Sequence, residues 1–310
     1  MAVTEIKDKS RKSENLNNTT FTEKKLQIRI TLSKGKFKNQ EGNTYIINDL
    51  AMSVKVEKLG PPDFGKASAE IYGLPLDVMQ QLTTLNMTPL FTFKNYITIF
   101  AGDDKNGLNQ IYSGAITGAS CDFNSAPDIK MKIGSRQGFF GSVTSQDENF
   151  IKGSMPASDF ISKQAKKIGF TFKNEGVTSS VKNALFTGSP IEQIRQCASQ
   201  IGAEVVIDDE QVILLKSERK GNVPILSKDS GLLGYPVMTQ NGIELKAIYN
   251  KDFRFAGLIN IESEIPRTSG TWRIIKLSHS LDANLPTSGK WESSITAFYP
   301  HMSGAVGKFV

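Results

Sequence analysis

Short stretches in which hydrophobic and polar residues alternate dominate the amino-terminal half of the chain. In the first, Leu26, Ile28 and Ile30 alternate with polar neighbours, as expected for a strand with one face in water. Pro75 begins a short helix, because proline favours the first helical turn. The pattern predicts strands over 26–32, 44–48, 52–56, 67–73, 96–101, 110–117 and 128–133. Six or seven short strands with turn residues between them are typical of a small barrel or sandwich.

In the middle of the chain, apolar residues recur with the spacing of a helix instead. A helix is predicted over 154–167, followed by Gly169 as a stop and a strand over 170–172. The same arrangement recurs 33 residues later, where a helix from Pro190 ends at Gly202 and a strand over 204–207 follows. Two helix–glycine–strand units predict a compact α+β domain with its helices on one face of a sheet.

After residue 221, apolar and polar residues alternate again, as they do in β-strands. The alternation is clear over 243–249 and 258–263, and a long hairpin over 269–300 completes this part. Both strands of the hairpin begin near a tryptophan, Trp272 and Trp291, and these are the two tryptophans of the chain. The buried face changes at Ile274 and Ile275, which predicts a β-bulge or a sheet covered on both faces.

These patterns predict an α+β protein, mainly β, in which two β-barrel-like domains flank a small α/β domain. The predicted division is a flexible arm at 1–22, a first β-barrel domain with a short inserted helix at 23–143 and an α/β domain at 144–221. A second β-barrel domain at 222–300 and a tail at 301–310 complete it.

Composition and charge narrow the function classes. The chain has 37 basic and 31 acidic residues spread along its length, without the concentrated basic face typical of nucleic-acid binders. No apolar run approaches 18 residues, and residues 1–20 lack the apolar centre of a secretory signal, so we expect neither membrane insertion nor export. Cys121 and Cys197 lie far apart, which fits a protein made in reducing cytoplasm. Cys197 is predicted to be in the core, whereas Cys121 fits core or surface.

Candidate catalytic residues lack a motif around them. His279 and His301 are the two histidines of the chain, and we expect His279 to be structural. The acidic turn at 103–106 lacks the glycine of a calcium loop, because the sixth position from Asp104 is Asn109. That turn and the run Asp208–Asp209–Glu210 are therefore predicted to be hairpin turns.

The other carboxylates show no spacing that identifies a glycosidase pair: Asp147, Glu148, Glu262, Glu264 and Asp282. The 18 phenylalanines and 7 tyrosines fit strand cores better than stacking platforms for nucleic acid. The sequence thus predicts no catalytic, cofactor-binding or metal-binding residue.

Four blocks of sequence resemble the baseplate hub proteins of contractile-tailed bacteriophages. This family is related to the late control protein D group and to the amino-terminal part of type VI secretion spike proteins. The resemblance spans roughly 26–300 and depends on the order and spacing of the blocks. They are AEIYGL (69–74) with QQLTTL (80–85), NYITIFAG (95–102) with QIYSGAITG (110–118), SGLLGYP (230–236) with TQNGI (239–243), and GTWRIIKLSH (270–279) with WESSITAF (291–298).

The resemblance implies a structural, non-enzymatic protein of the virion tail baseplate. It implies a homotrimer that contacts a tail tube or tube-initiator protein, a central spike protein and other baseplate proteins. DNA would pass through its lumen without sequence-specific binding. Two alternatives from other classes stay open at this point: a tail-associated cell-wall hydrolase with its active domain at 145–220, and a carbohydrate- or nucleic-acid-binding module.

Overall fold

The computed structural model describes residues 22–38, 42–60, 64–83, 94–144, 146–240, 242–286 and 289–300. The predicted arm, apart from Thr22, and the predicted tail with His301 lie outside the described residues. The same holds for Leu85, which follows Val78 and Leu82 at helical spacing in the helix predicted from Pro75.

The chain forms three consecutive groups of elements. The first β unit contains β1 (Lys24–Thr31), β2 (Thr44–Ile47), β3 (Met52–Leu59), β4 (Lys66–Tyr72), α1 (Leu76–Leu82), β5 (Tyr96–Asp103), β6 (Gly107–Asp122), β7 (Lys130–Arg136) and α2 (Phe139–Val143). The insert contains β8 (Asn149–Pro156), α3 (Ala157–Lys167), β9 (Thr171–Asn174), β10 (Ser180–Phe186), α4 (Pro190–Gln200), β11 (Glu204–Asp208) and β12 (Gln211–Leu215). The second β unit contains β13 (Ile225–Leu226), β14 (Leu232–Thr239), β15 (Gly242–Ile248), β16 (Leu258–Ile261), β17 (Gly270–Ala283) and β18 (Trp291–Phe298).

Both β units belong to one large sheet. Its main path runs β14-β15-β18-β17-β3-β4-β7-β6-β5-β1-β2, with β16 and β13 attached to the side of β17. The mainly β, α+β class is confirmed. The barrel-like part of the prediction is not, because within the described residues the pairing runs through both units as an open sheet. The continuous sheet forms because β3 pairs with β17, a contact between residues more than 200 positions apart.

The two β units share a strand order. In the first, β3-β4-β7-β6 are neighbours, and in the second, β14-β15-β18-β17 are neighbours, all antiparallel. The predicted bulge in the closing hairpin is confirmed, because the β17–β18 register shifts between Ile274 and Lys276. A shift at the corresponding place, between Ile116 and Gly118, occurs in the β6–β7 pairing.

The insert has two small sheets, β10-β8 and β11-β12-β9, and two helices. The repeated helix–glycine unit is confirmed at the level of hydrogen bonds. The Phe170 N–H donates to the Ala165 carbonyl, and the Ala203 N–H donates to the Ala198 carbonyl in the same way. Gly169 and Gly202 follow the two helices with φ of 80° and 66°, so each helix ends in a Schellman motif.

The first helix of the insert begins three residues later than predicted. Residues 149–156 form β8 instead, and Gly153 has a φ of 83°, which is not helical. The pattern also missed β10 and β14, because a register shift interrupts the alternation in each. In β14, the residues at the shift include Gly234 and Pro236.

The buried residues explain the runs of apolar sequence in β11 and β12. One face of these strands packs with α3 and α4, where Cys197 is fully buried as predicted. The other face, with Ile213 and Leu215, packs against Phe255 and Ala256 of the second β unit. The β11-β12-β9 sheet is therefore covered on both faces, and it holds the insert against the second β unit.

Candidate functional site: the joint between the β units

The joint between the β units consists of eight residue pairs, from Lys276–Leu59 to Ala283–Met52. Successive side chains point to opposite faces of the sheet. On one face, His279 with Val56 and Leu281 with Val54 are buried. On the other face, serine and charged side chains are at least partly in contact with solvent. The joint therefore has one apolar face and one polar face.

A buried ion cluster lies where the joint meets the insert. Lys58, near the end of β3, donates to Asp208 at 2.5 Å and to Asp209 at 3.4 Å. Arg219, in the segment that leads into the second β unit, donates to the other oxygen of Asp208 at 2.5 Å. Two cations and two carboxylates thus balance one another. The cluster connects the first β unit, the insert and the entry to the second β unit.

Asp209 lies in a strained turn that the cluster holds in place. The β11–β12 hairpin turns through Asp209 and Glu210, with φ of 49° and 62°, although such turns favour Asn-Gly or Asp-Gly. Asp209 Oδ1 accepts hydrogen bonds from the Ser113 N–H at 3.1 Å and from Gln137 Nε2 at 3.0 Å. The predicted hairpin turn is confirmed, and its side chain also anchors the insert to the first β unit.

The ionisation of the cluster follows from burial and from its partners. Burial opposes the charge of Asp208, but the charges of Lys58 and Arg219 outweigh it and lower the pKa of that carboxyl. Burial raises the pKa of Asp209, and the adjacent Asp208 carboxylate raises it further. Burial also lowers the pKa of Lys58, but the two carboxylates outweigh it, and the net change is a rise.

A second ion pair connects the insert to the second β unit. Arg273, on β17, is buried and donates to Glu204 of β11 at 2.7 Å. Because the pair lies at the opposite end of β11 from Asp208, the insert is held at both ends of one strand.

His279 is a packed residue of the joint. Its Nδ1 lies 2.8 Å from Ser293 Oγ, and its ring makes an edge contact with Tyr249 at 5.2 Å. Burial, with the nearby charge of Lys58, lowers the pKa of His279 to about 3, so the ring is neutral at physiological pH. Through these contacts His279 is part of the packing of the joint, and the absence of a catalytic role stays a prediction.

The family model of the baseplate hub gp41 matches residues 25–284. The chain belongs to this baseplate hub family. The match covers the first β unit, the insert and the second β unit as far as the end of β17, and it confirms the resemblance found in the sequence. The protein is thus a structural component of the virion tail baseplate.

Solved structures of tail proteins share the fold. The 43 kDa tail protein of prophage MuSo2 from Shewanella oneidensis aligns with a TM-score of 0.60 at 11% identity, over 90% of this chain and 97% of that one. The tail protein from Neisseria meningitidis MC58 aligns with a TM-score of 0.61 at 8% identity, over 88% and 96% of the two chains. No curated protein sequence matches the chain. Within the described residues, no helix is long and apolar enough to cross a bilayer.

The polar face of the hub's sheet carries charges that largely pair with one another. Glu57 lies 2.6 Å from Lys55 and 3.0 Å from Lys66, and Glu70 lies 2.8 Å from Lys130. The hydrogen bond from Lys55 is the main cause that lowers the pKa of Glu57. Serines fill positions between the charges: Ser53, Ser68, Ser278, Ser280 and Ser294. This face crosses the joint without interruption.

The other sequence candidates lie apart from one another. Asp103 caps its own turn by accepting from the Lys105 and Asn106 N–H groups, and Asp282 accepts from the Lys290 N–H. Asp147 and Glu148 are exposed in the segment before β8. The described residues contain no group of three or more histidine, cysteine or acidic side chains placed to hold a metal ion.

The ion cluster was missed because its members are distant in the sequence. Lys58 and Asp208 are separated by 150 positions, and each fits an ordinary strand or turn pattern. The sequence held one sign of the cluster. Lys58 falls on the apolar side of β3, where a lysine is buried only if its charge has a partner.

Proposed function

We propose that three copies of this hub protein form a ring in which each copy supplies its two β units. Six similar units would then match a sixfold tail tube on one side of the ring, and the three copies would match a threefold spike on the other. The observation that carries the proposal is the shared strand order of the two units, joined in one sheet by β3 and β17. An internal repeat of this kind lets a trimer present near-sixfold contacts.

The polar face of the sheet lines the channel through which DNA passes. Two features of this face support its role as the channel lining: Glu57 and Glu70 pair with neighbouring lysines, and serines lie between these charges. Binding to the DNA backbone requires unpaired cations that neutralise phosphates. A face on which most lysines are paired with carboxylates, with Lys276 as an exposed exception, favours passage over binding.

The ring is proposed to be non-enzymatic. The carboxylates that could serve a cell-wall hydrolase are either exposed and apart, as Asp147 and Glu262 are, or neutralised in the ion cluster, as Asp208 is. The proposed division of the chain keeps the arm at 1–22, β domains at 23–143 and 222–300, the α/β domain at 144–221 and the tail at 301–310.

The mass of the purified chain in solution tests the proposal. Light scattering is expected to give three times the monomer mass of 34.0 kDa, and mixtures with candidate tube and spike proteins are expected to give larger complexes. A chain that stays monomeric at high concentration and binds neither partner would refute it. Release of peptidoglycan fragments by the pure protein would instead support the hydrolase.

A further inference from the structure

A polar cavity opens beside the ion cluster, where the two β units and the insert meet. Its volume is about 500 Å³, and sites for small molecules span about 300–1,000 Å³. Lys58, Asp208 and His279 form part of its wall, and all three are buried. Every residue that lines the cavity belongs to the described part of the chain. Because His279 lies on the apolar face of the joint, the cavity is on the side of the sheet opposite the proposed channel lining.

Two cations of the cavity wall are available to an anion. The charges of the ion cluster are already paired, since Asp208 accepts from Lys58 and Arg219 through its two oxygens. Lys251 and Arg254 also line the cavity, are exposed, and form no ion pair with a described residue. In all, four cations and three carboxylates line the cavity, so its wall has an excess of positive charge.

The loop that carries these two cations is anchored on both sides. Phe253 and Phe255 flank Arg254 in the sequence, and each is 5% exposed. The Asp252 N–H donates to Asn250 Oδ1 at 2.9 Å, and the Phe253 N–H donates to the Asn250 carbonyl. The main chain at Arg254 is thus held in place before a ligand binds, which reduces the entropy lost on binding.

Other side chains of the cavity suit hydroxyl groups. Asn109, Gln110 and Asn222 line it, and side-chain amides both donate and accept hydrogen bonds. Asp252 lines it too and forms no ion pair with a described residue. Its carboxylate can accept from a hydroxyl, but it repels a bare anion. The wall therefore fits a ligand that carries hydroxyl groups as well as negative charge.

The hydroxyl of Tyr249 indicates the same chemistry. Tyr249 lines the cavity and is 8% exposed, and its hydroxyl has no hydrogen-bond partner among the described residues. Burial raises the pKa of Tyr249, and the charge of Asp252 raises it further, which places this carboxylate near the hydroxyl. Buried polar groups in native proteins are nearly always hydrogen-bonded. An unpaired hydroxyl beside a polar cavity therefore favours a polar ligand at this place.

We propose that the cavity binds a small phosphate ester that carries hydroxyl groups, of the sugar phosphate class. Lys251 and Arg254 bind the phosphate, because hydrogen bonds between charged groups are the strong ones. The amides and Asp252 bind the hydroxyls, and the ion cluster stays paired behind them. The site goes beyond the structural role of the hub. It does not depend on the ring, since one copy supplies every residue of the wall.

Calorimetric titration of the full chain tests the proposal. The probes are glucose 6-phosphate, inorganic phosphate and glucose, compared at one ionic strength because salt screens exposed charges. Glucose 6-phosphate is expected to bind at least about 10-fold more tightly than inorganic phosphate, since two or more hydrogen bonds to hydroxyls are added. Equal affinities for the ester and inorganic phosphate, or no binding of the ester, would overturn the proposal.

A matched pair of variants separates a site from general attraction of anions. Arg254→Met removes a cation of the cavity wall and should weaken binding of glucose 6-phosphate about 10-fold or more. Lys276→Met removes an exposed cation on the opposite face of the sheet and should leave the affinity unchanged. Both replaced side chains are exposed, and unchanged urea midpoints would show that the variants fold. Equal effects of the two variants would overturn the proposal.

Two further variants test recognition of the hydroxyls. Asn222→Ala should weaken binding of glucose 6-phosphate and leave that of inorganic phosphate unchanged. Asp252→Ala should reduce the preference for the ester, because the ester loses an acceptor while inorganic phosphate is no longer repelled. A preference that neither variant changes would overturn the assigned ligand class. Light scattering in the same buffer gives the mass of the chain, so a failure of the ring and a failure of this site are told apart.

Discussion

Replacing Lys58 by methionine tests whether the ion cluster holds the three parts of the chain together. The four charges of the cluster balance, and Lys58 contacts both Asp208 and Asp209. The variant leaves one buried negative charge without a partner. Removing one member of a buried ion pair costs about 3–5 kcal/mol, whereas an exposed pair contributes about 0–1 kcal/mol. We therefore expect a loss of that larger order in the free energy of unfolding.

Lys55→Met is the matched control for this experiment. Lys55 lies on the same strand, is exposed, and pairs with Glu57 at 2.6 Å, so its replacement should cost under about 1 kcal/mol. Urea unfolding followed by linear extrapolation measures both variants. Equal losses for the two variants at neutral pH would refute the reasoning.

The pH dependence of the Lys58→Met effect supplies a further check. The pKa of Asp208 is lowered in the folded protein, so its stabilising effect is present above the unfolded pKa and is lost as pH falls through the folded one. The difference between the wild-type chain and the variant should therefore shrink in acid. A difference that stays constant down to low pH would show that lost packing, not charge, causes it.

Three further predictions concern the scaffold around the joint. Burial lowers the pKa of His279 to about 3, so only the unfolded histidine takes up a proton between pH 7 and pH 5. The free energy of unfolding of the wild type should therefore fall by about 2 kcal/mol over that range. His279→Gln should remove this pH dependence in urea titrations. Ser189→Ala should cost about 1 kcal/mol, since Ser189 and Glu192 form the capping box of α4; an unchanged urea midpoint would contradict this. Gly202→Ala should lower the free energy of unfolding by about 1 kcal/mol. The cause is the φ of 66° alone, because no atom lies within 4 Å of an added Cβ. Gly118→Ala is the control: the site is equally open but has no positive φ, so the loss should be smaller.

The sequence by itself determined the local elements. Alternation placed β1, β3 and β15, and the glycines at 169 and 202 marked the ends of two helices. The bulge at Ile274–Ile275 was visible because the buried face changes there. These features depend on the solvation of neighbouring side chains and on backbone conformation, which a short segment sets without help from the rest of the chain.

Only the tertiary structure decided how the elements combine. The β3–β17 joint and the contact of Lys58 with Asp208 join residues that are separated by more than 100 positions. No local pattern encodes such partners, because the pairing depends on which edges and charges meet after folding. The same reason hid the repeat of the two β units, because hydrogen bonds between main chains fix the strand order and the bulge without any shared sequence.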